Sequence, residues 1–417
     1  MTNIDSPVTS PTKHSAEWLL TTEAIRNRCS IVYKAGISDN LENFGVNLEK
    51  LDNAARYVGK TIETIYPDLK IPYHARWRHF NSEGKNRWKE LSKSLDGDLN
   101  ERARTAFDLV VTSVLLDAGA GPLWRYKDPE TSKILTRSEG LAIASLHAFQ
   151  SGLFSGDKTR PLRADADGLL ALTKSALGSA LQVTDENKLA GLDGRVRLLN
   201  NLGSILHEKE ELFGKSKCRI GNLFDYLKFH SKNNTITARQ IFSAIITGLS
   251  GIWPGRVTLS GINLGDTWHH PVINTGAPSE GLVPFHKLSQ WITYSLIEPI
   301  EEAGLKVNGI NDLTALAEYR NGGLLLDLGV ISPKHGRVEE EVHVCGSEVI
   351  VEWRALTIII IEMLAERLRH ILNLKEQELP LAKVLEGGTW AAGRNIAQVK
   401  RANGEPPIRI ASDGSVF

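Results

Sequence analysis

Residues 313–331 of the chain read LTALAEYRNGGLLLDLGVI. Most of these side chains are apolar, which indicates burial, yet a carboxylate and a guanidinium stand near the centre as Glu318 and Arg320. Burying such charges costs free energy unless each charge meets a partner or a ligand. Two interpretations therefore fit the residues. Either Glu318 belongs to a ligand site, or the two charges form an internal ion pair that only ties two helices together.

The same stretch holds signals for a helix and for its end. Asp312 is a suitable N-cap, so we predict a short helix over residues 313–319. Gly322 and Gly323 follow, and glycine readily takes the positive φ that ends a helix. In this arrangement Glu318 lies near a helix end, beside an open backbone turn.

Helical patterns dominate on both sides of this stretch, whereas segments with strand character are short and few. A Gly-Gly turn with Thr389 as N-cap is predicted to begin the last helix. The terminal residues 408–417 (IRIASDGSVF) are predicted to form a docked strand or clasp. The sequence therefore predicts a mainly α fold with a few short strands. The predicted helices include residues 15–28, 46–66, 137–151, 163–181, 194–211 and 283–304, and a central buried helix that ends at residue 373.

The length of 417 residues bears on the domain organisation. It exceeds the ~250–300 residues at which a single core stops growing, which favours two lobes. No linker rich in proline, serine or glycine divides the chain, so we expect the lobes, about 15–235 and 236–417, to pack as one helical unit. Residues 1–14 are polar with two prolines and lack the apolar segment of a signal peptide, so we predict a disordered N-terminal tail.

Charge and cysteine content argue against several classes of function. Lysine plus arginine equals aspartate plus glutamate at 49 each, so bulk charge indicates neither a nucleic-acid nor a membrane partner. The densest apolar run, residues 356–361, is far shorter than the ~20 residues that cross a bilayer. The three cysteines form neither a disulfide framework nor a CxxC metal site, which is typical of a reducing cytoplasm. We expect a cytoplasmic protein without a cofactor.

A polar and aromatic face is predicted on the helix at residues 283–304. His286 and Gln290 are four residues apart, as are Lys287 and Trp291, so all four share a broad face. In one interpretation this face lines a cavity. In the other it is a partly exposed helix surface with ordinary polar groups.

Two carboxylates outside that helix are further site candidates. Asp117 ends an apolar helix beside a glycine turn, where it either binds a ligand or only caps the turn. Asp266 stands with Trp268 in a segment that is predicted to be a loop or small hairpin. The adjacent His269 and His270 cannot easily face one metal ion, and no third ligand has a recognisable spacing, so we predict no metal site.

Nine tryptophans are many for a chain with two methionines, and several have a cationic neighbour, as in Trp353-Arg354. Residues 72–80, PYHARWRHF, are aromatic and basic without a clear period. They form either a loop or helix start that lines something polar, or part of the surface. A pocket with flat rings and fixed positive charges suits a planar, partly anionic ligand, such as a sugar phosphate that bears a ureido group or a base.

Long blocks of the sequence carry a family resemblance. They include RCSIVYKAG (28–36), HARWRHF (74–80), LAEYRNGGLLLDLGVI (316–331) and PLAKVLEGGTWAAGR (380–394). With further blocks over nearly the whole chain, they resemble the family of the fourth uracil-catabolism protein of fungi and bacteria, long filed as a domain of unknown function. The resemblance implies a step after ring opening of a uracil nucleotide, where ribosylurea or its 5-phosphate would release urea and ribose phosphate.

A more distant resemblance implies a chemistry. FHKLSQ (285–290) and the block at 313–331 are similar to the FYKRAQ and ADYRxPQ blocks of the queuosine-nucleotide salvage glycosidases. Those helical enzymes are related to DNA glycosylases and cleave the N-glycosidic bond of a nucleoside monophosphate. Glu318 matches their catalytic Asp, and the other matching positions are Tyr319, Arg320, Lys287 and Gln290. Two departures stand out: Glu is one methylene longer than Asp, and Asn-Gly-Gly replaces x-Pro-Gln, so whatever that Gln reads is not read here.

The residues and the resemblances together lead to a hypothesis. We expect an N-glycoside hydrolase that splits ribosylurea 5-phosphate, or ribosylurea, into urea and ribose (5-phosphate), with Glu318 as the catalytic carboxylate. Lys287 and Arg320 would hold phosphate or position Glu318. Asp117 or Asp266 would bind ribose hydroxyls or urea N–H groups. The other candidate substrate-binding residues are His286, Gln290, Trp291, Tyr319 and Trp268.

Rival functions stay open at this point. A non-catalytic protein of the same pathway would bind and regulate the ring-opening enzyme, and an exposed apolar groove without convergent charges would favour it. A phosphoribosyltransferase ranks last, because no acidic pair follows a strand as in a PRPP-binding loop. The expected partner is a small sugar-phosphate or nucleotide-derived substrate, with neither nucleic acid nor membrane. The oligomeric state and the role of Glu318 as nucleophile or base stay open.

Overall fold

The protein has a mainly α architecture, as the helical periodicity of its sequence predicted. The computed structural model describes residues 11–411 apart from Glu83 and Asp96. The α-helices are α1 (Pro11–Leu19), α2 (Thr22–Ile37), α3 (Leu51–Ile65), α4 (Arg87–Ser92), α5 (Leu99–Leu115), α6 (Arg137–Gln150), α7 (Ala166–Leu170), α8 (Lys174–Ala180), α9 (Leu192–Glu208), α10 (Glu210–Phe213), α11 (Asn222–Phe229), α12 (Ala238–Leu249), α13 (Lys287–Glu302), α14 (Tyr319–Asp327), α15 (Arg337–Glu340), α16 (Glu348–Leu372), α17 (Leu381–Lys383) and α18 (Ala391–Lys400).

Short strands pair two by two between and beside these helices. The antiparallel pairs are β1 (Phe44–Val46) with β12 (Ile331–Pro333), β2 (Asn81–Ser82) with β3 (Lys85–Asn86), β4 (Tyr126–Lys127) with β5 (Ile134–Leu135), β7 (Thr258–Leu259) with β8 (Ile262–Asn263), and β9 (Thr267–His269) with β10 (Leu282–Pro284). The parallel pairs are β6 (Thr235–Thr237) with β11 (Lys306–Asn308), and β13 (Val342–Val344) with β14 (Arg409–Ala411). Several pairs join distant segments, so they fix loops between helices.

The long helix α16 lies at the centre of the core, as its apolar run predicted. Its side chains at Ile358, Ile360 and Ile361 are fully buried, and α2, α3 and α14 pack around it. Burying one such side chain stabilises the fold by roughly 1.5–3 kcal/mol. One continuous hydrophobic core runs from Ile25 to Ile408 and draws on both halves of the chain. The division into two lobes stays a prediction.

The helix predicted over residues 313–319 is wrong. The backbone is not helical over residues 313–318, and α14 begins at Tyr319, directly after its N-cap Glu318. Gly322 therefore lies inside the helix, where a Cβ would be only 2.6 Å from the indole ring of Trp353. The glycine allows α14 to pack closely on α16. The presence of glycine at position 322 is therefore explained by the lack of space for a side chain and not by a helix end. The sequence pattern alone did not distinguish a glycine that ends a helix from a glycine that allows close packing.

Other predicted boundaries also differ from the structure, and in two segments short polar side chains cap helices inside the predicted range. The segment 15–28 is divided between α1 and α2, since the hydroxyl of Thr21 accepts from the backbone N–H of Ala24 at 3.2 Å. The segment 163–181 holds two short helices, with Asp165 and Thr173 as their N-caps. The helix predicted at 283–304 starts at Lys287, because residues 282–284 form β10.

Thr389 is not an N-cap. It is fully buried inside a π-helical stretch, Val384–Trp390, that joins α17 to α18 without a turn. A Cβ at Gly388 would lie 2.8 Å from Val58 on α3, so here too the glycine serves close packing.

The ends of the chain are described in part. Residues 11–14, which were predicted to belong to a disordered tail, are helical in α1, and residues 1–10 lie outside the described residues. The predicted docked strand is present as β14, while residues 412–417 lie outside the described residues. Within the described part of the chain, no helix combines the length and apolarity that a membrane crossing requires.

Replacing Gly322 with alanine should destabilise the protein by about 1–3 kcal/mol, because the added Cβ forces α14 away from α16. The free energy of unfolding in urea measures this. Gly255→Ala is the matched control, since nothing lies within 4 Å of a Cβ at Gly255. Equal stability of the two variants would contradict the packing role of Gly322.

Candidate functional site

The starts of α6, α13 and α14, the turn at residues 117–122 and the C-terminal residues 405–410 enclose a cavity of about 520 Å³. Both charged and aromatic side chains line it, together with a few small and apolar ones. The charged and aromatic lining residues are His74, His79, Asp117, Arg137, Lys287, Trp291, Glu318, Tyr319, Trp390, Glu405 and Arg409. A concave pocket with convergent polar groups is the usual form of a small-molecule site.

Glu318 is fixed in this cavity by the backbone of α14. Its Oε2 accepts from the N–H of Arg320 at 2.8 Å, and its Oε1 accepts from the N–H of Asn321 at 2.6 Å. The residue is 8% exposed. Burial raises the pKa of Glu318, while the two N–H groups and the positive charge of Lys287 oppose that rise. Each carboxylate oxygen keeps a second lone pair, so the group is oriented and still able to act on a ligand.

Lys287 is the first residue of α13 and brings a cation into the same cavity. Its Nζ lies 5.5 Å from the centre of the Trp291 ring. Burial lowers the pKa of Lys287, and the negative charges of Glu318 and Asp117 oppose this. Lys287 therefore interacts electrostatically with two of the carboxylates that line the cavity, Glu318 and Asp117.

Asp117 lies just after α5, as the sequence indicated, and its partners are internal. Its Oδ1 lies 3.1 Å from Nη1 of the fully buried Arg76, and its Oδ2 accepts from the hydroxyl of Ser138 at 2.9 Å. Burial raises the pKa of Asp117, and the charges of Arg76 and Lys287 oppose this rise. Oδ2 thus has a hydrogen-bond partner, whereas Oδ1 meets the charge of Arg76 but has no aligned hydrogen bond among the described residues, and the group lines the cavity.

Aromatic rings form one wall of the cavity. Trp291 packs with His74 at a ring distance of 6.1 Å and with His79 at 5.9 Å, and Trp390 lies 5.5 Å from His79. Nε1 of Trp291 and Nδ1 of His79 are buried without a hydrogen-bond partner among the described residues. Burial and nearby arginines hold the pKa of His79 well below its usual value, so this ring is neutral. Two polar atoms of the wall thus lack a hydrogen-bond partner among the described residues.

The C-terminal segment 403–411, here called the strap, lies over the cavity. Nη1 of Arg320 donates to the carbonyl of Gly404 at 2.9 Å, and Nη1 of Arg137 donates to the same oxygen at 3.2 Å. β14 at the end of the strap pairs with β13. Two guanidinium groups and a strand pair therefore hold the strap in place.

The model of the family described as "Protein of unknown function (DUF1688)" matches residues 18–417.

The chain belongs to the DUF1688 family.

This confirms the family resemblance drawn from the sequence blocks. "Protein urg3" of Schizosaccharomyces pombe is 37% identical over 414 residues, which cover 96% of this chain and 98% of the relative. "Uracil catabolism protein 4" of Lachancea kluyveri is 36% identical over 411 residues, which cover 90% of this chain and 92% of the relative. The family match, over residues 18–417, includes every residue that lines the cavity and the whole strap.

Five of the ten predicted site residues line the cavity of this DUF1688 protein: Glu318, Lys287, Trp291, Tyr319 and Asp117. Arg320 follows Glu318 but turns to the strap and to the ring of Tyr319, whose centre lies 5.0 Å from its guanidinium carbon. Gln290 does not line the cavity. Its Nε2 donates to the hydroxyl of Thr314, and its Oε1 accepts from the backbone N–H of Thr314 at 2.9 Å. These two bonds fix the segment that leads to Glu318.

Asp266 and Trp268 also lie outside the cavity lining. Both oxygens of Asp266 bind the guanidinium of Arg354, at 2.7 and 2.8 Å, and Oδ2 also accepts from the backbone N–H of Lys287 at 3.0 Å. The indole N–H of Trp268 donates to Asp266 at 2.8 Å. A carboxylate with this many partners has little capacity left for a substrate. Asp266 instead caps the start of α13 and places Lys287.

His286 is buried and precedes α13 in a left-handed conformation with φ of 48°. Its Nε2 lies 2.9 Å from the carbonyl oxygen of Leu19. The helical spacing with Gln290 that suggested a shared face does not apply, because His286 stands outside the regular helix. His286 links α13 to the end of α1 rather than to the cavity.

Sequence reasoning missed several cavity residues. His74 and His79 come from the aromatic and basic stretch 72–80, for which a lining role was one of two interpretations. Arg76 from the same stretch does not line the cavity but is buried against Asp117. The end of the stretch forms a 3₁₀-helix, Arg76–Phe80, whose period differs from that of an α-helix. For Trp390 the sequence offered no indication of a site role other than a nearby arginine.

One group of potential metal ligands occurs among the described residues, at His270, Glu348 and Glu352, outside the cavity. Nε2 of His270 lies 3.5 Å from Oε1 of Glu352. However, Nδ1 of His270 accepts from the backbone N–H of Val272 at 3.2 Å, which leaves the ring proton on Nε2. That tautomer faces Glu352 with an N–H group, so the arrangement suits an internal contact rather than a metal ligand.

Removing the charge of Asp117 with Asp117→Asn should cost about 3–5 kcal/mol of stability, since it leaves the buried guanidinium of Arg76 without its counter-ion. Urea unfolding measures the loss. Asp193→Asn breaks an exposed pair with Lys174 and should change stability by about 1 kcal/mol or less. A loss at Asp117 as small as at Asp193 would show that the Arg76 pair contributes little.

Proposed function

We propose that this DUF1688 protein is an N-glycoside hydrolase of uracil catabolism that releases urea from ribosylurea 5-phosphate, or from ribosylurea. The observation that carries the proposal is the buried carboxylate of Glu318, held by two backbone N–H groups beside Lys287 in a cavity of suitable size. The name of the Lachancea kluyveri relative supports the pathway. The similarity to nucleotide N-glycosidases supports the reaction type.

The proposed chemistry needs an anion near the sugar. Cleavage of an N-glycosidic bond passes through a transition state with positive charge on the ring oxygen and the anomeric carbon. Glu318 stabilises that charge, and it either takes a proton from the attacking water or attacks the anomeric carbon itself. Its raised pKa makes it a better base than an exposed glutamate, since a stronger base binds the proton more tightly.

The aromatic wall fits the leaving group. The ureido group is planar and can lie against the ring of Trp291. The indole N–H of Trp291, which has no partner among the described residues, can donate to the urea carbonyl. The neutral ring of His79 offers Nδ1 nearby as a second hydrogen-bonding atom. Two unsatisfied polar atoms in a buried wall are costly unless a ligand binds them.

Cations of the lining fit a phosphate. They are Lys287, Arg137 and Arg409. The two nitrogens Nη1 and Nη2 of Arg137 donate to strap carbonyls, so Lys287 and Arg409 are the better candidates for direct contact. The convergence of charges in a concave pocket also favours an enzyme over a non-catalytic regulator, for which an apolar groove without such charges would be expected.

A direct assay tests the proposal. Purified protein is incubated with ribosylurea and, separately, with ribosylurea 5-phosphate, and urea release is followed. Glu318→Gln should lower kcat by roughly 10²–10⁴-fold, because the amide keeps the shape and removes the charge. Glu298→Gln is the control, since Glu298 lies on α13 but pairs with Arg78 outside the cavity lining.

Each outcome of this assay has a defined meaning. Release from the phosphate form alone supports the hydrolase with a cationic phosphate site, and release from both forms makes that site unnecessary. Retained turnover in Glu318→Gln would remove the catalytic role of Glu318. If the folded wild type releases urea from neither compound, the regulator becomes the better hypothesis, and binding to the ring-opening enzyme is measured instead.

The pH dependence should report the environment of Glu318. Its ionised form is the active one, so kcat/KM should fall as the pH drops through its pKa, which burial places above that of an ordinary glutamate. Lys287→Met removes a positive charge that lowers this pKa, so the acidic limb should move to higher pH. Lys306→Met, at an exposed position, should leave the limb in place. A limb that stays fixed in Lys287→Met would contradict the coupling.

A further inference from the structure

His74 and Glu386 form a buried pair at the cavity wall that the proposed chemistry has not used. Nδ1 of His74 lies 2.8 Å from Oε2 of Glu386, and the two side chains are 5% and 11% exposed. The backbone N–H of His74 donates to the carbonyl of Ala382 at 2.9 Å, which fixes the position of the residue. His74 lines the cavity, whereas Glu386 lies behind it in the π-helical stretch.

The contact with Glu386 determines which ring nitrogen of His74 can exchange a proton with a ligand. An ionised carboxylate only accepts hydrogen bonds, so Nδ1 carries a proton in this pair. Nε2 is then the atom that gains or releases the second proton. A carboxylate behind a histidine also stabilises the doubly protonated ring and holds its orientation.

His74 is placed beside the expected leaving group. Its ring is stacked on that of Trp291, with an angle of 20° between the planes, and Trp291 is the surface proposed for the ureido group. Glu318 lines the same cavity and is close enough that the charge of His74 affects its ionisation. An acid and a base therefore share one cavity.

We infer that His74 is the general acid that protonates the urea nitrogen as the N-glycosidic bond breaks, and that Glu386 positions His74 for this step. The inference rests on the proposed function. A water oxygen bonds to the anomeric carbon, the bond from that carbon to nitrogen breaks, and its electron pair stays on nitrogen. Nε2 of His74 gives its proton to that nitrogen, and the water proton passes to Glu318. Proton exchange with solvent then restores both groups.

The second histidine of the cavity does not fit this role. His79 is buried among arginines that disfavour its charged form, and its Nδ1 has no partner in the part of the chain that the structure describes. A ring that stays neutral accepts or donates a hydrogen bond but does not supply a proton from a cation. His74 is paired with a carboxylate, and this difference separates the two histidines.

The decisive experiment compares two leaving groups in the full-length protein. Urea needs protonation to leave, whereas p-nitrophenolate leaves as an anion. His74→Gln should therefore lower kcat about 10²–10⁴-fold on ribosylurea 5-phosphate but less than about tenfold on p-nitrophenyl riboside 5-phosphate, with KM little changed. Glu386→Gln should show a smaller loss with the same selectivity. Glu318→Gln should lose activity on both substrates, and the exposed His207→Gln should lose it on neither.

The outcomes separate the inference from the proposed function. Equal losses on the two substrates in His74→Gln would show a structural role and overturn the inference, while urea release by the wild type would keep the function. A wild type that releases no urea would remove both. If the wild type cleaves only the urea substrate, imidazole is added to His74→Gly: recovery of urea release supports His74 as the proton donor, and a lack of recovery overturns it.

Discussion

The two hydrogen bonds from the backbone of α14 to the carboxylate of Glu318 are the interaction on which the site depends. They end the non-helical segment before Glu318 and start the helix after it. Because both N–H groups belong to one helix end, they orient the carboxylate and favour its negative charge. Burial acts in the opposite direction and raises the pKa of Glu318. The carboxylate of Glu318 is therefore fixed and buried, and its basicity is set by the balance between burial and these two hydrogen bonds.

Residues outside the cavity place those inside it. The pair of Asp266 with Arg354 joins the start of α13 to the central helix α16. Asp266 also accepts from the backbone N–H of Lys287, which fixes the position of the Lys287 backbone and therefore of its side chain. Gln290 likewise holds the segment before Glu318 through Thr314. Two residues that were predicted to touch substrate thus act as supports. Their mutation would disturb the site through the position of Lys287 and Glu318.

The sequence predicted some parts of this site well and others poorly. Lys287 and Trp291 are four residues apart in one helix, and this local spacing brought them correctly to one face. Asp117 was found because a carboxylate after an apolar helix is unusual. Asp266 was singled out beside Trp268 in a predicted loop or small hairpin, but its partner Arg354 is 88 residues away. Local pattern cannot tell a carboxylate that meets a distant arginine from one that is left for a ligand. The relation to the queuosine-salvage fold stays a prediction.

The sequence by itself determined the mainly α architecture, the buried central helix and the presence of charged residues in apolar surroundings, because these follow from local periodicity and composition. The resemblance of long sequence blocks indicated the family. Only the tertiary structure decided where α14 begins and which side chains share the cavity. Gly322 shows the reason: its role is set by the indole of Trp353, 31 positions away in the chain, which lies too close for a Cβ. His74 and Glu386, 312 positions apart, meet for the same reason. Contacts between distant segments leave no period in the sequence.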